Sequence, residues 1–196
     1  MEGDYKMEIL IRKAYQEDAS KAIPLIMEAI GDISEQITGE TEESAITIEF
    51  IKLFKQTDNR HSYLNTYIAE MDGHIAGVLV FYTAEQAIIL DANLEAYLST
   101  KNGTDIKIDP ETIPGEWYID TVVVDPTYRG HGIGTKLLSY AEQLVKDSGG
   151  GRLALNVEVK KDAAIRLYNR IGFDTLCPWT IIGEPFHHMV KTVVPN

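Results

Sequence analysis

The chain of 196 residues has the composition of an ordinary globular protein, with 44% hydrophobic and 24% charged residues. Its net charge of −12 at pH 7 disfavours nucleic acid as a partner, because phosphate binding needs a basic surface, and it suits either a cationic ligand or simple solubility. No apolar run approaches the roughly 20 residues of a membrane span, the polar start of the chain lacks the apolar stretch of a signal peptide, and the single Cys177 cannot form an internal disulfide, so we expect a cytoplasmic protein with no membrane partner.

The first part of the chain predicts one strand and two helices. Residues 7–14 alternate apolar and polar side chains and predict a strand, and residues 1–6 before it are expected to be flexible. Asp18 is suited to cap a helix that runs to Ile30, because its carboxylate can accept a hydrogen bond from a free N–H of the first turn. Apolar side chains at helical spacing predict a further helix over residues 41–56.

A hairpin and a less regular segment follow. Residues 62–71 and 74–83 predict two paired strands, because Asp72 and Gly73 between them tolerate the positive φ of a tight turn. The segment 84–116 begins with a helical pattern and ends in a loop marked by prolines. A segment of this length either covers an active site or is an insertion without function, and the sequence leaves both open.

The second half of the chain alternates strands and helices. Residues 117–124 are rich in β-branched and aromatic side chains and predict a central strand. An amphipathic helix over residues 135–147 and a strand over residues 152–159 follow. Residues 162–171 predict another helix, and residues 173–194 predict the closing strands. This order predicts a single mixed α/β sheet flanked by helices.

A glycine-rich loop, residues 124–135 (VDPTYRGHGIGT), connects the central strand to the amphipathic helix. Glycines at positions 130, 132 and 134 have no Cβ, so the backbone can turn tightly and approach a ligand closely. The free N–H groups at the start of the helix favour an anion such as a pyrophosphate, and Arg129 adds a positive charge. The spacing G-x-G-x-G differs from both the dinucleotide fingerprint and the phosphate loop of ATPases.

Two blocks of the sequence resemble the GNAT superfamily of N-acetyltransferases. The pattern R-x-x-G-x-G at residues 129–134, after V-V-V-D-P, is similar to the family's acetyl-CoA signature, R/Q-x-x-G-x-G/A. Residues 164–173 (AIRLYNRIGF) are similar to the family's A-x-x-L-Y-x-x-x-G-F block. The resemblance is close over residues 117–173. It implies one GNAT acetyltransferase domain over residues 1–196, with a mixed, mostly antiparallel central sheet flanked by helices and with splayed central strands.

The resemblance implies acetyl-CoA as the cosubstrate and direct transfer of its acetyl group to a primary amine. Backbone groups of the central strand would bind the pantetheine arm and polarise the acetyl carbonyl. Backbone N–H groups of the loop would hold the pyrophosphate, and the Asn156 side chain could reach the pantetheine amides or an ordered water. The residues implied to bind acetyl-CoA are Val122, Val124, Arg129, Gly130, Gly132, Ile133, Gly134, Thr135 and Asn156.

Tyr168 matches the family tyrosine that lies beside the thioester sulfur, where its hydroxyl would protonate or hydrogen-bond the leaving thiolate. The alternative is a core tyrosine on an amphipathic helix. The sequence departs from the family seven residues earlier, where the family often has asparagine and this chain has Lys161. The lysine could reach a cofactor phosphate, or the helix could begin one residue later with Asp162 as its cap.

The attacking amine must lose a proton, because an ammonium group has no lone pair. Asp120 is the first candidate for the base, because a carboxylate in an apolar central strand is costly without a partner. The alternation of a strand predicts that Asp120 shares a face with Tyr118, Val122 and Val124. A structural acid bonded to a backbone amide or to a basic neighbour is the alternative. The next candidates for the base, in order, are Glu116 and His131.

We expect no metal site, because His187 and His188 are adjacent in a predicted strand and point to opposite faces. We expect transfer from acetyl-CoA to an unidentified small-molecule amine or peptide, with the segment 84–116 near the acceptor side. Acetylation of a protein N-terminus or lysine is one alternative, and a non-catalytic acyl-CoA-binding regulatory domain is the other. The sequence leaves homodimerisation open.

Overall fold

A computed structural model describes residues 8–31 and 33–195 of the chain. The helices are α1 (Ala19–Ile30), α2 (Ile33–Thr38), α3 (Glu43–Lys55), α4 (Ala84–Asn102), α5 (Ile133–Asp147) and α6 (Asp162–Arg170). The strands are β1 (Ile9–Lys13), β2 (Thr66–Met71), β3 (His74–Thr83), β4 (Glu116–Val124), β5 (Gly151–Glu158), β6 (Asp174–Ile181) and β7 (Glu184–Val193). The predicted flexible residues 1–6, and Met7 of the predicted first strand, lie outside the described residues.

The strands of the described ranges form one open sheet in the order β1-β2-β3-β4-β5-β7-β6. Only β4 and β5 are parallel, and each other pair of neighbours is antiparallel. The parallel pair requires a crossover, and α5 supplies it. The prediction of a mixed, mostly antiparallel sheet flanked by helices is therefore confirmed.

Helices cover both faces of the sheet. On one face, α5 buries an apolar stripe that includes Leu137, Ala141 and Val145. On the other face, α1 and α3 bury Ile23 and Phe50 against the strands. These positions recur at helical spacing in the sequence, so burial of one stripe per helix explains the packing. The central strand β4 is covered on both faces, which makes any polar side chain within it costly unless that side chain is partnered.

The segment between β3 and β4 is more regular than the sequence predicts. Helix α4 runs to Asn102, beyond the predicted helical part, and ends at Gly103, whose φ of 68° suits glycine. It starts with a reciprocal pair of hydrogen bonds, in which Gln86 N donates to Thr83 Oγ1 at 3.1 Å and Thr83 N donates to Gln86 Oε1 at 2.9 Å. The irregular part is therefore limited to residues 103–115.

Helix α1 begins where the sequence predicts, but Asp18 does not cap it with its side chain. The carboxylate instead accepts hydrogen bonds from Tyr15 N and from Arg12 Nη1, each at 2.7 Å. A charge-assisted bond to a guanidinium is stronger than a bond to a neutral N–H, so the carboxylate turns back toward β1.

Within the part of the chain that the structure describes, no helix has the length and apolar character needed to cross a membrane.

Candidate active site

The central strands part at their carboxyl-terminal ends. Strands β4 and β5 pair over Glu116–Ile119 and Arg152–Leu155, and their pairing stops there. A cavity of about 470 Å³ opens at this gap, lined on one side by residues 119–124 and on the other by residues 155–158. The gap leaves backbone N–H and C=O groups of both strands without a strand partner, and an extended ligand could bond to them.

A β-bulge at Asp120 changes which face the strand presents. Val80 pairs with Thr121 and Phe81 pairs with Ile119, so Asp120 is the extra residue of β4. The prediction that Tyr118, Val122 and Val124 lie on one face of β4 is therefore wrong. Tyr118 packs with α1 and α3, whereas Val122 and Val124 pack on the α5 face. The bulge shifts the alternation of side chains between the two faces by one residue, and no local pattern in the sequence marks it.

Asp120 lies in the wall of the cavity and is held by two hydroxyl groups. Tyr82 donates a hydrogen bond to Oδ2, and Thr121 Oγ1 donates to Oδ1 at 2.9 Å. The guanidinium of Arg60 lies 3.8 Å from Oδ2. A buried carboxylate needs such partners, and its position in the cavity wall brings it within reach of a ligand there.

The glycine loop places backbone N–H groups at the start of α5. Gly130 and Gly132 have φ values of 83° and 77°, which disfavour residues with a Cβ. A Cβ built on either of them would meet no atom within 4 Å, so the space above the loop is open. The first described bond of the helix runs from Lys136 N to Gly132 O at 3.0 Å. The N–H groups of Ile133, Gly134 and Thr135 precede it and have no carbonyl of the helix to bond.

Arg129 does not extend into the space above the loop. Its Nη2 forms an ion pair with Glu28 Oε1 at 2.7 Å, and its Nε donates to Val124 O at 3.3 Å. Its backbone N–H donates to Pro126 O at 3.4 Å. Glu28 belongs to α1 and also lines the cavity, so the pair connects the loop to α1.

Tyr168 lies on α6 and lines the cavity. Its ring packs edge-on against Phe173, with 6.1 Å between the ring centroids. Burial raises the pKa of Tyr168 to about 12, so the hydroxyl is protonated at neutral pH. The hydroxyl has no hydrogen-bond partner among residues 8–31 and 33–195, and it is therefore able to donate its proton to a ligand.

Helix α6 begins at Asp162, with Lys161 at the position before it. Asp162 is therefore the first helical residue and not the cap. Lys161 Nζ forms an ion pair with Glu158 Oε1 at 2.7 Å, and both residues line the cavity. The lysine that replaces the usual asparagine is thus held at the end of β5 by a neighbouring carboxylate.

The Asn156 side chain bonds to other protein groups with both of its polar atoms. Nδ2 donates to Glu111 O at 2.9 Å and to the Tyr118 hydroxyl at 3.1 Å, and Oδ1 lies 2.8 Å from His188 Nδ1. His188 is buried, and its Nε2 lies 3.2 Å from Glu116 Oε2. Asn156 therefore joins the end of β5 to β4, to β7 and to the segment after α4.

The two further candidates for the base lie away from the cavity. Glu116 has no exposed side-chain surface, accepts a hydrogen bond from Ile113 N at 2.8 Å, and is not among the lining residues. His131 is exposed in the glycine loop, where its Nδ1 lies 3.1 Å from Tyr128 O. In the described residues, no group of three or more His, Cys, Asp or Glu side chains is arranged to hold a metal ion.

A buried charged cluster lies at the inner end of the cavity, and the sequence did not predict it. We call it the Arg60 cluster: Arg60, Asp91, Glu111 and Asp120. The guanidinium bonds to Asp91 in a bidentate manner, with Nε–Oδ1 at 2.7 Å and Nη2–Oδ2 at 3.0 Å, and Nη1 donates to Glu111. Burial opposes the charge on Arg60, but the surrounding carboxylates raise its pKa well above the ordinary value. Three carboxylates thus share one guanidinium.

The members of the Arg60 cluster come from four separate parts of the chain. Arg60 precedes β2, Asp91 is on α4, Glu111 is in the loop 103–115, and Asp120 is on β4. Burial also raises the pKa of Tyr118, whose hydroxyl donates to Glu111 Oε2 at 2.6 Å. In the sequence, the polar run around Arg60 is typical of a surface loop, so no local signal indicates that it is buried.

His61, next to Arg60, also lines the cavity and was not predicted from the sequence. It is 4% exposed, and its ring packs edge-on against Phe50 with 5.1 Å between centroids. Burial, reinforced by the neighbouring Arg60, lowers the pKa of His61 to about 3, so the imidazole is neutral at physiological pH. Its Nε2 is buried and has no hydrogen-bond partner in the described part of the chain.

Apolar side chains form the rest of the cavity wall. Leu94 and Leu98 of α4 are fully buried, and Ile106 and Ile108 of the following loop pack against them. Ile37 of α2 completes this side. The cavity is therefore charged at its inner end and apolar along one wall, which is the usual arrangement of a site for a small organic molecule.

Comparison with known proteins agrees with this geometry. The sequence matches the Acetyltransferase (GNAT) family over residues 27–173. It is 42% identical over 62 residues to N-alpha-acetyltransferase RimI of Mycobacterium tuberculosis, a match that covers 32% of this chain and 37% of that protein. The chain thus matches well under two thirds of the length of this relative.

Two solved structures resemble the whole chain. A crystal structure of an acetyltransferase is 35% identical, covers 94% of this chain and 99% of its own, and has a TM-score of 0.77. An N-acetyltransferase from Staphylococcus aureus Mu50 shares the fold, with 22% identity, 92% and 99% coverage, and a TM-score of 0.76. With a family match over most of its length and a 35% identical structure across nearly all of it, this chain belongs to the acetyltransferase (GNAT) family.

Proposed function

We propose that this chain, as a single domain, is an N-acetyltransferase that transfers the acetyl group of acetyl-CoA directly to a primary amine. The observation that carries the proposal is the gap between β4 and β5, because it opens between a glycine loop at a helix start and a protonated tyrosine. The gap, the loop and the tyrosine suit the three parts of an acyl-CoA thioester, namely the pantetheine arm, the pyrophosphate and the sulfur.

The residues present fit acetyl-CoA. In the gap, the backbone of Val122 and Val124 lies beyond the last β4–β5 pair and is available to the pantetheine arm and the acetyl carbonyl. The N–H groups of residues 130–135 and the positive end of the α5 dipole are available to the pyrophosphate. Because the guanidinium of Arg129 is paired with Glu28, we propose that Arg129 contributes to the pyrophosphate site through its place in the loop and not through its side-chain charge.

Asn156 has a supporting role in this proposal. Its side chain is bonded to Glu111, Tyr118 and His188, so neither of its polar atoms is free to contact the cosubstrate. We propose that this network keeps the gap open. Lys161, paired with Glu158, closes the same end of β5.

Acetyl-CoA supplies an activated acetyl thioester when it is bound. We propose that Tyr168 donates its hydroxyl proton to the departing sulfur, because its raised pKa keeps that proton available. We propose that Asp120 accepts the proton that the amine loses, directly or through a water, because its carboxylate lies in the cavity wall. Backbone N–H groups near Val122 would stabilise the negative charge that develops on the acetyl oxygen.

A small amine as the acceptor is favoured by the loop that forms part of the wall of the cavity. The loop 103–115 is held by Ile182 N, which donates to Asp109 Oδ2 at 2.7 Å, and by Trp179 Nε1, which donates to Pro110 O at 2.9 Å. The name of the relative RimI, an N-alpha-acetyltransferase, favours a peptide N-terminus as the second candidate.

Titration calorimetry with acetyl-CoA tests the proposal, with Gly134→Glu as the disrupting variant. Gly134 has an ordinary φ, and a Cβ there meets only Val124 Cγ2 at 3.5 Å, so the substitution is tolerated by the fold. The added carboxylate would repel a pyrophosphate, while a negative charge in the first turn stabilises the helix itself.

The matched control is Ser139→Glu, which adds the same charge to an exposed position farther along α5. We expect saturable binding by the parent and by Ser139→Glu, and loss of binding by a folded Gly134→Glu. Release of CoA with a panel of amines then measures turnover. Binding without turnover of any amine, lysine or peptide would favour a non-catalytic acyl-CoA-binding domain, and absence of binding by the parent would overturn the proposed function.

A further inference from the structure

The position of His61 in the cavity wall has no structural explanation within the protein. The residue lies between α3 and β2, is 4% exposed, and contacts Phe50 with its ring. Its backbone N–H is bonded to Asn59 Oδ1 at 2.9 Å, so the backbone is well fixed. A phenylalanine would fill the same space and make the same ring contact without adding polar atoms.

Burial of the imidazole costs free energy, because Nε2 has no protein partner. His61 is also among the residues that line the cavity, so a ligand there lies beside an imidazole that no hydrogen bond from Nε2 holds in place. Polar atoms that are buried without a partner are rare in folded proteins, and at the wall of a cavity they point to a ligand.

The surroundings of His61 define what such a ligand can be. The carboxylates of Glu111 and Asp120 face the inner end of the cavity beside Arg60, and they suit an amine. The partly buried Ile37, Ile106 and Ile108 of the cavity wall suit a hydrocarbon body. A neutral imidazole between these regions suits an uncharged polar group next to the amine.

We propose that His61 determines acceptor specificity by hydrogen-bonding an uncharged polar group next to the acceptor's amine. This inference rests on the proposed function. The acceptor class is then a primary amine that has a carbonyl or hydroxyl group beside it and an apolar body against Ile106 and Ile108. His61 is not a general base here, because the same burial that leaves its nitrogen unpaired opposes its protonation.

A comparison of two amines with three protein variants tests this proposal. The amines are phenylalanine amide and 2-phenylethylamine, which share an apolar body and a primary amine and differ by the carboxamide beside that amine. The proteins are the parent, His61→Phe and His61→Gln. The readouts are kcat/KM for the amine, calorimetric binding of acetyl-CoA, and Tm.

We expect the parent to prefer phenylalanine amide by about 10-fold or more, because a site built to bond a polar group rejects an analogue that lacks it. We expect His61→Phe to abolish this preference, mainly by lowering kcat/KM for phenylalanine amide. Acetyl-CoA binding should be unchanged, and Tm should be unchanged or higher. We expect His61→Gln, which restores a polar group, to recover part of the preference.

Several results would overturn the inference and leave the proposed function intact. One is that His61→Phe lowers kcat/KM equally for both amines, or for neither. Another is that His61→Phe has a lower Tm that accounts for its lower activity. A third is that a parent that binds acetyl-CoA turns over neither amine. Failure of the parent to bind acetyl-CoA would instead remove the proposed function, and the inference with it.

Discussion

The side-chain amide of Asn156 lies 3.1 Å from the hydroxyl oxygen of Tyr118, at the point where β4 and β5 stop pairing. Tyr118 is the last but one paired residue of β4, and Asn156 is the first residue of β5 beyond the pairs. This hydrogen bond replaces a ladder bond with a side-chain bond, so the strands separate at a defined residue.

Replacement of Asn156 by alanine is expected to reduce the free energy of unfolding by about 3 kcal/mol, because the Tyr118 hydroxyl, Glu111 O and His188 Nδ1 each lose a buried partner. Urea unfolding of the two proteins measures the loss. The control is Asn93→Ala, which removes one exposed hydrogen bond to Asp58 O and is expected to cost less than about 1 kcal/mol. Equal losses in the two variants would contradict the role given to Asn156.

Replacement of Arg60 by methionine is expected to destabilise the protein by about 3–5 kcal/mol at pH 8, because three carboxylates lose their shared cation in a buried site. Arg12→Met is the control. Arg12 also pairs with two carboxylates, but its side chain is 23% exposed, so we expect a loss of about 1 kcal/mol.

The destabilisation of Arg60→Met is expected to be smaller at pH 5 than at pH 8. Burial already raises the pKa of Asp91 above its ordinary value despite Arg60, so its protonation favours the folded state as pH falls. Removal of the guanidinium raises that pKa further. A destabilisation that is the same at both pH values would show that the carboxylates are not the cause.

The stability of the parent is expected to fall between pH 6.5 and pH 4.5, in part because of His61. Its pKa is lowered to about 3 in the folded protein, so in this range the unfolded chain binds a proton that the folded chain does not. One such proton changes the free energy of unfolding by at most about 1.4 kcal/mol per pH unit. The stability of His61→Phe, measured by thermal unfolding, should therefore depend less on pH than that of the parent. The slopes of stability against pH for the two proteins should differ least at pH 8. Parallel pH profiles would be inconsistent with a buried neutral His61.

Replacement of Tyr168 by phenylalanine is expected to lower kcat by about 100-fold, because the proposed proton donor to the leaving sulfur is lost. The ring contact with Phe173 is kept, so Tm should change little. Because the pKa of Tyr168 is about 12, its deprotonation should cause no decline of kcat in the parent below about pH 10. Steady-state rates of CoA release from pH 7 to pH 10 provide the measurement, and an unchanged kcat in the variant would exclude the proton-donor role.

The carboxylates of Asp120 and Asp91 allow a matched test of the base. Both lie beside Arg60, but only Asp120 lines the cavity. We expect Asp120→Asn to lower kcat by about 100-fold and Asp91→Asn to change it by less than about threefold. Similar losses in both variants would indicate that the charge balance around Arg60, and not proton transfer, is what activity requires.

The sequence by itself determined the features that depend on local backbone geometry. The strand 117–124, the glycine loop and the helix after it follow from the β-branched run, the glycines with positive φ and the apolar stripe of α5. Tyr168 and the glycine loop were identified from the resemblance of their sequence blocks to a known family, and the structure places Tyr168 in the wall of the cavity. Local periodicity and the freedom of glycine can be read along the chain, because they depend only on neighbouring residues.

The tertiary structure alone decided the partners of the polar side chains. The bulge at Asp120 moves Tyr118 and Val122 to opposite faces of β4, and neither the two-residue period of strands nor the 3.6-residue period of helices predicts it. Arg60 and Glu111 meet across 51 positions of sequence, and so both appear as ordinary loop residues until the chain folds. A buried charge is tolerated only where distant segments supply its partners, and that condition is satisfied by the packing of the whole sheet and its helices.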